Sequence, residues 1–272
     1  MLVPTEFLTF GDKNMDFIRS MKENNPASEW MDAKEICERY PIFENIPDYY
    51  VGNLGNDAGI IKVKNALGGF KQMAERYGAK LRYNSEVLKA EANSVTLKSG
   101  EVIHAQHVVV CCGAYSLDRF DKQYSNVSVL SAETFTLGGD ISTYFTDNAL
   151  GGIPGIIFEC SEKYKMYGLK DNQQLTQYKF GLHSERNLKL SIEWVRERIP
   201  SKIKDMAFSN VWFYTMTENH EFIYKTNPDG VHYCYGLWGE GFKYMPIHGR
   251  IIYNGLITKQ DTSFVKQTKA KF

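Results

Sequence analysis

The sequence predicts an α/β chain of the two-lobe α+β kind, and three observations carry that prediction. Val63, Ala66, Leu67, Phe70, Met73, Ala74 and Tyr77 recur at the spacing of one helix face, and Gly78 follows. The continuous apolar run His107-Val-Val-Val-Cys-Cys-Gly-Ala114 has the pattern of a buried parallel strand, whose C-terminal loop is where open α/β sheets bind ligands. Near the other end, His232-Tyr-Cys-Tyr-Gly236 leads through a glycine-rich loop to a helix carrying Ile247, Ile251, Ile252 and Leu256. The first and last α/β pieces then belong to one lobe, with a second lobe interleaved between them.

The remaining elements follow in order. Phe7-Leu-Thr-Phe-Gly11 reads as a short strand and turn. From Met15 to about Tyr40 the chain is polar and helix-rich, with Asp32 placed as an N-cap before Ala-Lys-Glu-Ile-Cys-Glu-Arg39. Pro41 and Pro47 bracket a loop. Gly68 and Gly69 inside the predicted helix each lower its propensity by about 1 kcal/mol, which a closely packed backbone would explain. Lys80-Leu-Arg-Tyr83, Val87-Leu-Lys-Ala90, Ser94-Val-Thr-Leu97 and Val102-Ile-His-Ala105 suggest a β-meander. Residues 125–225 read as mixed strands with one helix near Leu188 to Glu197, stopped at Pro200.

Composition removes several classes of function. Lys and Arg number 32 and Asp and Glu number 32, so no net basic field exists to hold nucleic acid. No apolar run approaches the roughly 18 residues that span a bilayer. The cysteines (Cys37, Cys111, Cys112, Cys160, Cys234) contain no CxxC pair and no paired histidine spacing, which argues against a metal site. Their odd number, with no basic signal segment at the start, points to a reducing, intracellular and cytoplasmic setting. Ala270-Lys271-Phe272 loosely has the form of a peroxisomal address, the alternative location. The adjacent Cys111 and Cys112 are expected in the core.

Two segments carry potential chemistry. In Lys179-Phe-Gly-Leu-His183, positions four apart on a strand face one side. A fixed cation there would stabilise negative charge developing on oxygen, and a histidine would orient an amine or carboxylate. The alternative is a solvated lysine and a surface histidine. In Gly236-Leu-Trp-Gly239-Glu-Gly241-Phe242-Lys243, glycines between a strand and a helix let backbone approach a planar or anionic ligand, and Lys243 adds a charge for a carboxylate. The alternative is a glycine-rich turn with a solvated lysine. Tyr167 and Tyr214 are candidate cavity tyrosines, or else ordinary half-buried aromatics.

Taken in order, Tyr167-Gly168, Lys179 to His183, Trp212-Phe-Tyr-Thr215 leading to His220-Glu-Phe-Ile223, and Gly239-Glu-Gly-Phe-Lys-Tyr244 resemble the back half of an amine-oxidising flavoenzyme. The resemblance is to the sarcosine oxidase, N-methyltryptophan oxidase and pipecolate oxidase group of the D-amino-acid-oxidase-like FAD enzymes. Asp57-Ala-Gly-Ile-Ile61 and Val108 to Tyr115 resemble that group's helix lead-in and its Gly-Ala-aromatic turn.

The resemblance implies an incomplete Rossmann-like FAD-binding lobe interleaved with a mixed β-sheet substrate lobe. Residues 1–40 and 123–228 would form the substrate lobe, and 41–122 and 229–272 the FAD lobe. Lys179 would activate oxygen over the flavin. His183, Tyr167 and Tyr214 would line the substrate cavity, and Lys243 would bind the substrate carboxylate. Val87 would touch the adenine half of FAD. Gly113, Ala114, Gly239, Gly241, Phe242 and Lys243 would contact the cofactor. A small secondary-amine amino acid would lose hydride to FAD, and dioxygen would reoxidise the flavin to give hydrogen peroxide.

Three departures qualify these roles. Trp212 stands where the family attaches flavin through cysteine, so FAD would be held non-covalently. Glu240 replaces the loop histidine. No GxGxxG motif follows an early strand, so the dinucleotide pyrophosphate lacks its helix N-terminus and the parallel sheet lacks its first strands. The expectation is therefore an oxidase that needs an N-terminal segment or partner chain. The alternative is a truncated, non-catalytic paralogue that no longer binds FAD.

Overall fold

The computed structural model describes residues 2–121, 127–138, 144–147, 155–158, 163–167, 185–201, 207–217 and 221–258. Strand β1 (Leu2–Asp12) is longer than the predicted strand because it is held on both edges. Helix α1 (Asp16–Asn24) carries Asp16 in its first turn and Lys22 in its last, complementing its dipole. After β2 (Glu29–Asp32), the predicted cap is present: the Glu35 amide donates to Asp32 Oδ1 at 2.9 Å, and the Asp32 amide donates to Glu35 Oε2 at 2.8 Å. This capping box opens α2 (Ala33–Arg39). Strand β3 (Tyr50–Ile61) pairs antiparallel with both β1 and β2, and α3 (Val63–Arg76) follows.

Further along lie the meander strands β4 (Val87–Glu91), β5 (Ser94–Leu97) and β6 (Val102–His104), then the two-residue β7 (Val109–Val110). A π-helical turn at Ser116–Phe120 precedes β8 (Val127–Gly138), β9 (Tyr144–Asp147), β10 (Gly155–Phe158) and β11 (Lys163–Tyr167). Helix α4 (Glu185–Arg198), β12 (Ala207–Thr217), β13 (Ile223–Thr226), β14 (His232–Tyr235) and α5 (Met245–Ile251) complete the order, with a second π-helical turn at Ile252–Ile257.

The chain divides into two compact units, 1–76 with 132–171 and 179–212, and 77–131 with 172–178 and 213–272. The larger sheet has the order β12-β8-β11-β10-β9-β1-β3-β2, with a parallel pair between β1 and β9. In the first unit Leu8, Phe10, Ile36, Val195 and Ile199 are fully buried in one cluster, which also takes in Trp194 of α4. Arg198 ends α4 with its guanidinium over the Tyr50 ring, 5.4 Å from the centroid, and Nη2 donating to Tyr50 Oη at 3.3 Å.

The amphipathic pattern of α3 is realised as a helix, but Ala66 is its one buried residue among those described. Val63, Leu67, Phe70 and Met73 stay 39–44% exposed. The expectation that backbone packs against Gly68 is corrected: among the described residues, nothing outside its own stretch of helix lies within 4 Å of where its Cβ would be.

The second unit holds two small sheets. The meander β4-β5-β6 is antiparallel throughout, while Lys80–Tyr83 forms no strand. The other sheet has the order β13-β14-β7. Here β14 is antiparallel to β13 and parallel to β7, pairing His232 with Val109 and Tyr233 with Val110. Val108, Val110, Ile223, Val231, Tyr233 and Tyr235 form its core. The predicted parallel strand thus exists but is short. Cys111 and Cys112, expected in the core, are exposed because the ladder stops at Val110 and the chain turns at Gly113.

Candidate functional site

Because β7 and β14 are parallel neighbours, their C-terminal ends lie side by side, and the two segments leaving them form the candidate site. Such strand ends are where α/β sheets place ligands.

From β7 the chain passes Cys111 and Cys112 into a turn. Gly113 has φ +56°, and among the described residues nothing beyond its chain neighbours lies within 4 Å of its absent Cβ. Conformation rather than crowding calls for glycine there. The turn is closed by the Tyr115 amide donating to the Cys112 carbonyl (3.1 Å) and the Ser116 amide donating to the Gly113 carbonyl (3.1 Å). The Cys112 amide donates to Ser116 Oγ at 3.0 Å. Gly113 is exposed and Ala114 buried.

From β14 the chain enters the glycine-rich loop. Gly236 has φ +70°, and its amide donates to Thr215 Oγ1 at 2.9 Å. A Cβ there would lie 2.9 Å from Thr217 Cγ2. Trp238 also has positive φ, +54°, and its indole donates to Thr217 Oγ1 at 3.2 Å. Tyr214, half-buried on β12, lays its ring against Gly239, 3.4 Å from where a Cβ would stand. A Cβ on Gly241 would meet Leu237 Cβ at 2.9 Å. The loop therefore packs on itself and on the end of β12.

Lys243 precedes the N-cap of α5, Tyr244, and is exposed. Its Nζ lies 2.5 Å from Glu240 Oε2. The substituted loop carboxylate thus pairs with the lysine expected to meet a substrate carboxylate.

One residue that the sequence did not single out closes the loop onto α5. His248 is buried, with Nε2 2.9 Å from the Gly241 carbonyl and Nδ1 2.5 Å from Tyr224 Oη. A carbonyl only accepts, so Nε2 carries the proton, Nδ1 accepts, and the Tyr224 hydroxyl donates. Burial lowers the His248 pKa, and burial foremost raises that of Tyr224. The available signal was a histidine one turn into the helix after a glycine-rich loop.

A second buried cluster gathers around Asp121 against the same sheet. Asp121, fully buried at its side chain, receives Lys225 Nζ at 2.5 Å, Tyr235 Oη at 2.5 Å and Asn227 Nδ2 at 3.2 Å. Burial works to raise its pKa, but those donors outweigh it and the net shift is downward.

The other expected residues fall elsewhere. Val87 is half-buried in β4, at the end of the β4–β5 register opposite Leu97. Phe242 is half-buried in the loop. Tyr167 ends β11 in the first unit, opposite Thr134. Lys179, His183 and Gly168 lie outside the described residues. The first unit also has a cleft of about 520 Å³ beside α2, whose charges balance as Lys34 and Arg198 against Glu44 and Asp48. Among the described residues no helix is long and apolar enough to cross a membrane.

The family model for FAD-dependent oxidoreductases, DAO, matches residues 7–254. The chain belongs to this family. Its relatives include the monomeric sarcosine oxidase of Bacillus sp. (strain B-0618), 22% identical over 275 residues that cover 91% of this chain and 70% of the relative. The monomeric sarcosine oxidase of Streptomyces avermitilis is 22% identical over 263 residues, covering 86% of this chain and 66% of the relative. Among solved structures, L-proline dehydrogenase from P. horikoshii superposes with a TM-score of 0.76 at 15% identity, covering 98% of this chain and 75% of that one. NikD, an amino acid oxidase of nikkomycin biosynthesis, gives a TM-score of 0.77 at 19% identity, covering 96% and 75%. At these identities the structures establish that this DAO-family chain has the family fold.

Fit to FAD divides along the molecule. The exposed Gly113, which carries no side chain, lies beside the loop after β14 and suits the approach of a flat ring. For the pyrophosphate, the sequence of this DAO-family chain holds no GxGxxG cradle.

Proposed function

We infer that this FAD-dependent oxidoreductase is an oxidase of the sarcosine-oxidase type, acting on the C–N bond of a small secondary amino acid. The observation that carries the reading is the paired end of β7 and β14, where the open Gly113 turn and the Gly236–Lys243 loop lie side by side. Bound FAD supplies the hydride acceptor and, with dioxygen, the route to hydrogen peroxide.

The chain's own residues bind and orient. Gly113, Ala114, Gly239, Gly241 and Phe242 would hold the cofactor, with Val87 toward its adenine half. Lys179 would hold positive charge where charge develops on oxygen. Tyr167, Tyr214 and His183 would line the substrate cavity, and Lys243 would hold the substrate carboxylate, its own charge moderated by Glu240. FAD would be bound non-covalently, since Trp212 stands at the attachment position. The exposed apolar face of α3 supports further polypeptide packing on the first unit.

The pairing of Lys243 with Glu240 favours a second reading, a chain that kept the fold and lost catalysis. A visible absorption spectrum separates the two. The purified chain is mixed with FAD, and free flavin is removed. A retained flavin band that bleaches with a secondary amino acid and releases peroxide supports the oxidase. A colourless chain, alone and after adding an N-terminal segment from a relative, supports the second reading.

A further inference from the structure

We propose that Cys111 and Cys234 form a thiol pair that a hydroperoxide closes to a disulfide across the ends of β7 and β14. The register carries the inference. Val109 lies opposite His232 and Val110 opposite Tyr233, so the next step sets Cys111 opposite Cys234. Neighbouring strands run about 4.8 Å apart, inside the roughly 4.4–6.8 Å between Cα atoms that a disulfide spans, and opposed residues of a parallel pair face the same side. The two side chains interact, and that interaction is the leading cause of the pKa shift of each thiol.

The two thiols differ in a way that orders the steps. Cys111 is exposed, whereas Cys234 is 4% exposed. Their interaction lowers the Cys111 pKa and raises that of Cys234, which favours thiolate at the accessible sulfur. The Cys111 thiolate attacks the peroxide, an S–O bond forms, the O–O bond breaks, and hydroxide leaves and takes a proton. The Cys234 sulfur then attacks Cys111, the S–S bond forms, the S–O bond breaks, and water departs with the thiol proton. Two thiols lose two electrons, and one hydrogen peroxide becomes two waters.

Cys112 is the neighbouring competitor. It lies past the ladder with its amide held by Ser116 Oγ, and nothing places it opposite a second sulfur among the described residues. Closing the pair would tie the Gly113 turn to the base of the Gly236 loop.

The test is peptide mapping of the reduced chain treated with hydrogen peroxide and then alkylated with N-ethylmaleimide. Because peroxide is added, the result is independent of the flavin reading. The expected result is that alkylatable thiols fall from five to three, with one linked peptide pair joining Cys111 to Cys234 that dithiothreitol releases. Cys112→Ser keeps the link. Cys234→Ala leaves a sulfenic acid at Cys111 that dimedone traps. A map showing Cys111 unmodified, oxidised to sulfinic acid without a link, or linked to any other cysteine would overturn the proposal, and it stands on the unsubstituted chain even where Cys234→Ala fails to fold.

Discussion

Tyr224 donates its hydroxyl proton to Nδ1 of His248 at 2.5 Å, joining the edge strand β13 to α5 through a neutral imidazole whose other nitrogen holds the Gly241 carbonyl. A buried imidazole so placed makes stability depend on pH. Burial lowers the pKa of His248, and burial with His107 nearby lowers that of His232, both from an ordinary 6.5. The folded state therefore binds fewer protons than the unfolded chain just below that value.

The sign follows directly. The stabilising contribution is complete above about pH 6.5 and is lost as the pH falls through the depressed folded values. Urea unfolding at pH 7.5 and 5.5 is expected to show the higher midpoint at pH 7.5. In His248→Gln the difference between the two midpoints shrinks. Tyr224→Phe is expected to cost about 1 kcal/mol at pH 7.5, the net contribution of one buried hydrogen bond. An equal pH dependence in wild type and His248→Gln would remove the imidazole from the account.

Two of the positive-φ glycines, Gly113 and Gly236, are expected to behave differently. At Gly113 the space is open, so Ala costs only the left-handed conformation, about 1–2 kcal/mol, and Asn, which tolerates that region, costs less. At Gly236 the same strain is joined by a contact of 2.9 Å with Thr217 and 3.2 Å with Ile223, so Ala is expected to cost about 3 kcal/mol or more. Thermal unfolding of Gly113→Asn, Gly113→Ala and Gly236→Ala should rank them in that order of increasing loss.

Lys243 and Glu240 form an exposed pair on the loop, with 58% of the lysine side chain accessible. Such a pair contributes less than about 1 kcal/mol to stability. Lys243→Gln should leave the melting temperature within a degree or two. On the proposed function, the same change should raise KM for a carboxylate substrate about tenfold, equivalent to about 1.4 kcal/mol. A change in kcat alone would argue against a carboxylate-binding role.

The apolar face of α3 should be visible to solution probes. Leu67, Phe70 and Met73 expose a continuous stripe of a kind that monomeric proteins seldom leave bare. The chain is expected to bind an environment-sensitive hydrophobic dye and to associate as concentration rises. Phe70→Glu combined with Met73→Glu should reduce both effects by light scattering and fluorescence. Stability should move by no more than about 0.5 kcal/mol per site, since neither side chain is buried.

Much of the local structure was legible in the sequence. Asp32 and Glu35 form a capping box because both partners sit within one turn of each other. The α3 pattern and the β4–β6 meander were likewise readable, since helix faces and hairpins join residues a few positions apart. Motif order along the chain was enough to point to the flavoenzyme family. What was missed depends on distant residues. Cys111 and Cys112 looked like the continuation of a buried strand, yet they are exposed because β7 ends where its partner's register ends. Gly68 looked like a point of close packing, and among the described residues no other element approaches it.

By itself, then, the sequence determined the helices with their caps, the short hairpins, the glycine turns and the family, because these rest on spacing and on backbone conformations that individual residues permit. Tertiary structure alone decided that β7 and β14 are parallel neighbours, bringing Cys111 to Cys234, and that β13 sets Tyr224 against His248. Strand order is a property of long-range pairing. No local periodicity records which strands, more than a hundred residues apart in the chain, will share one ladder.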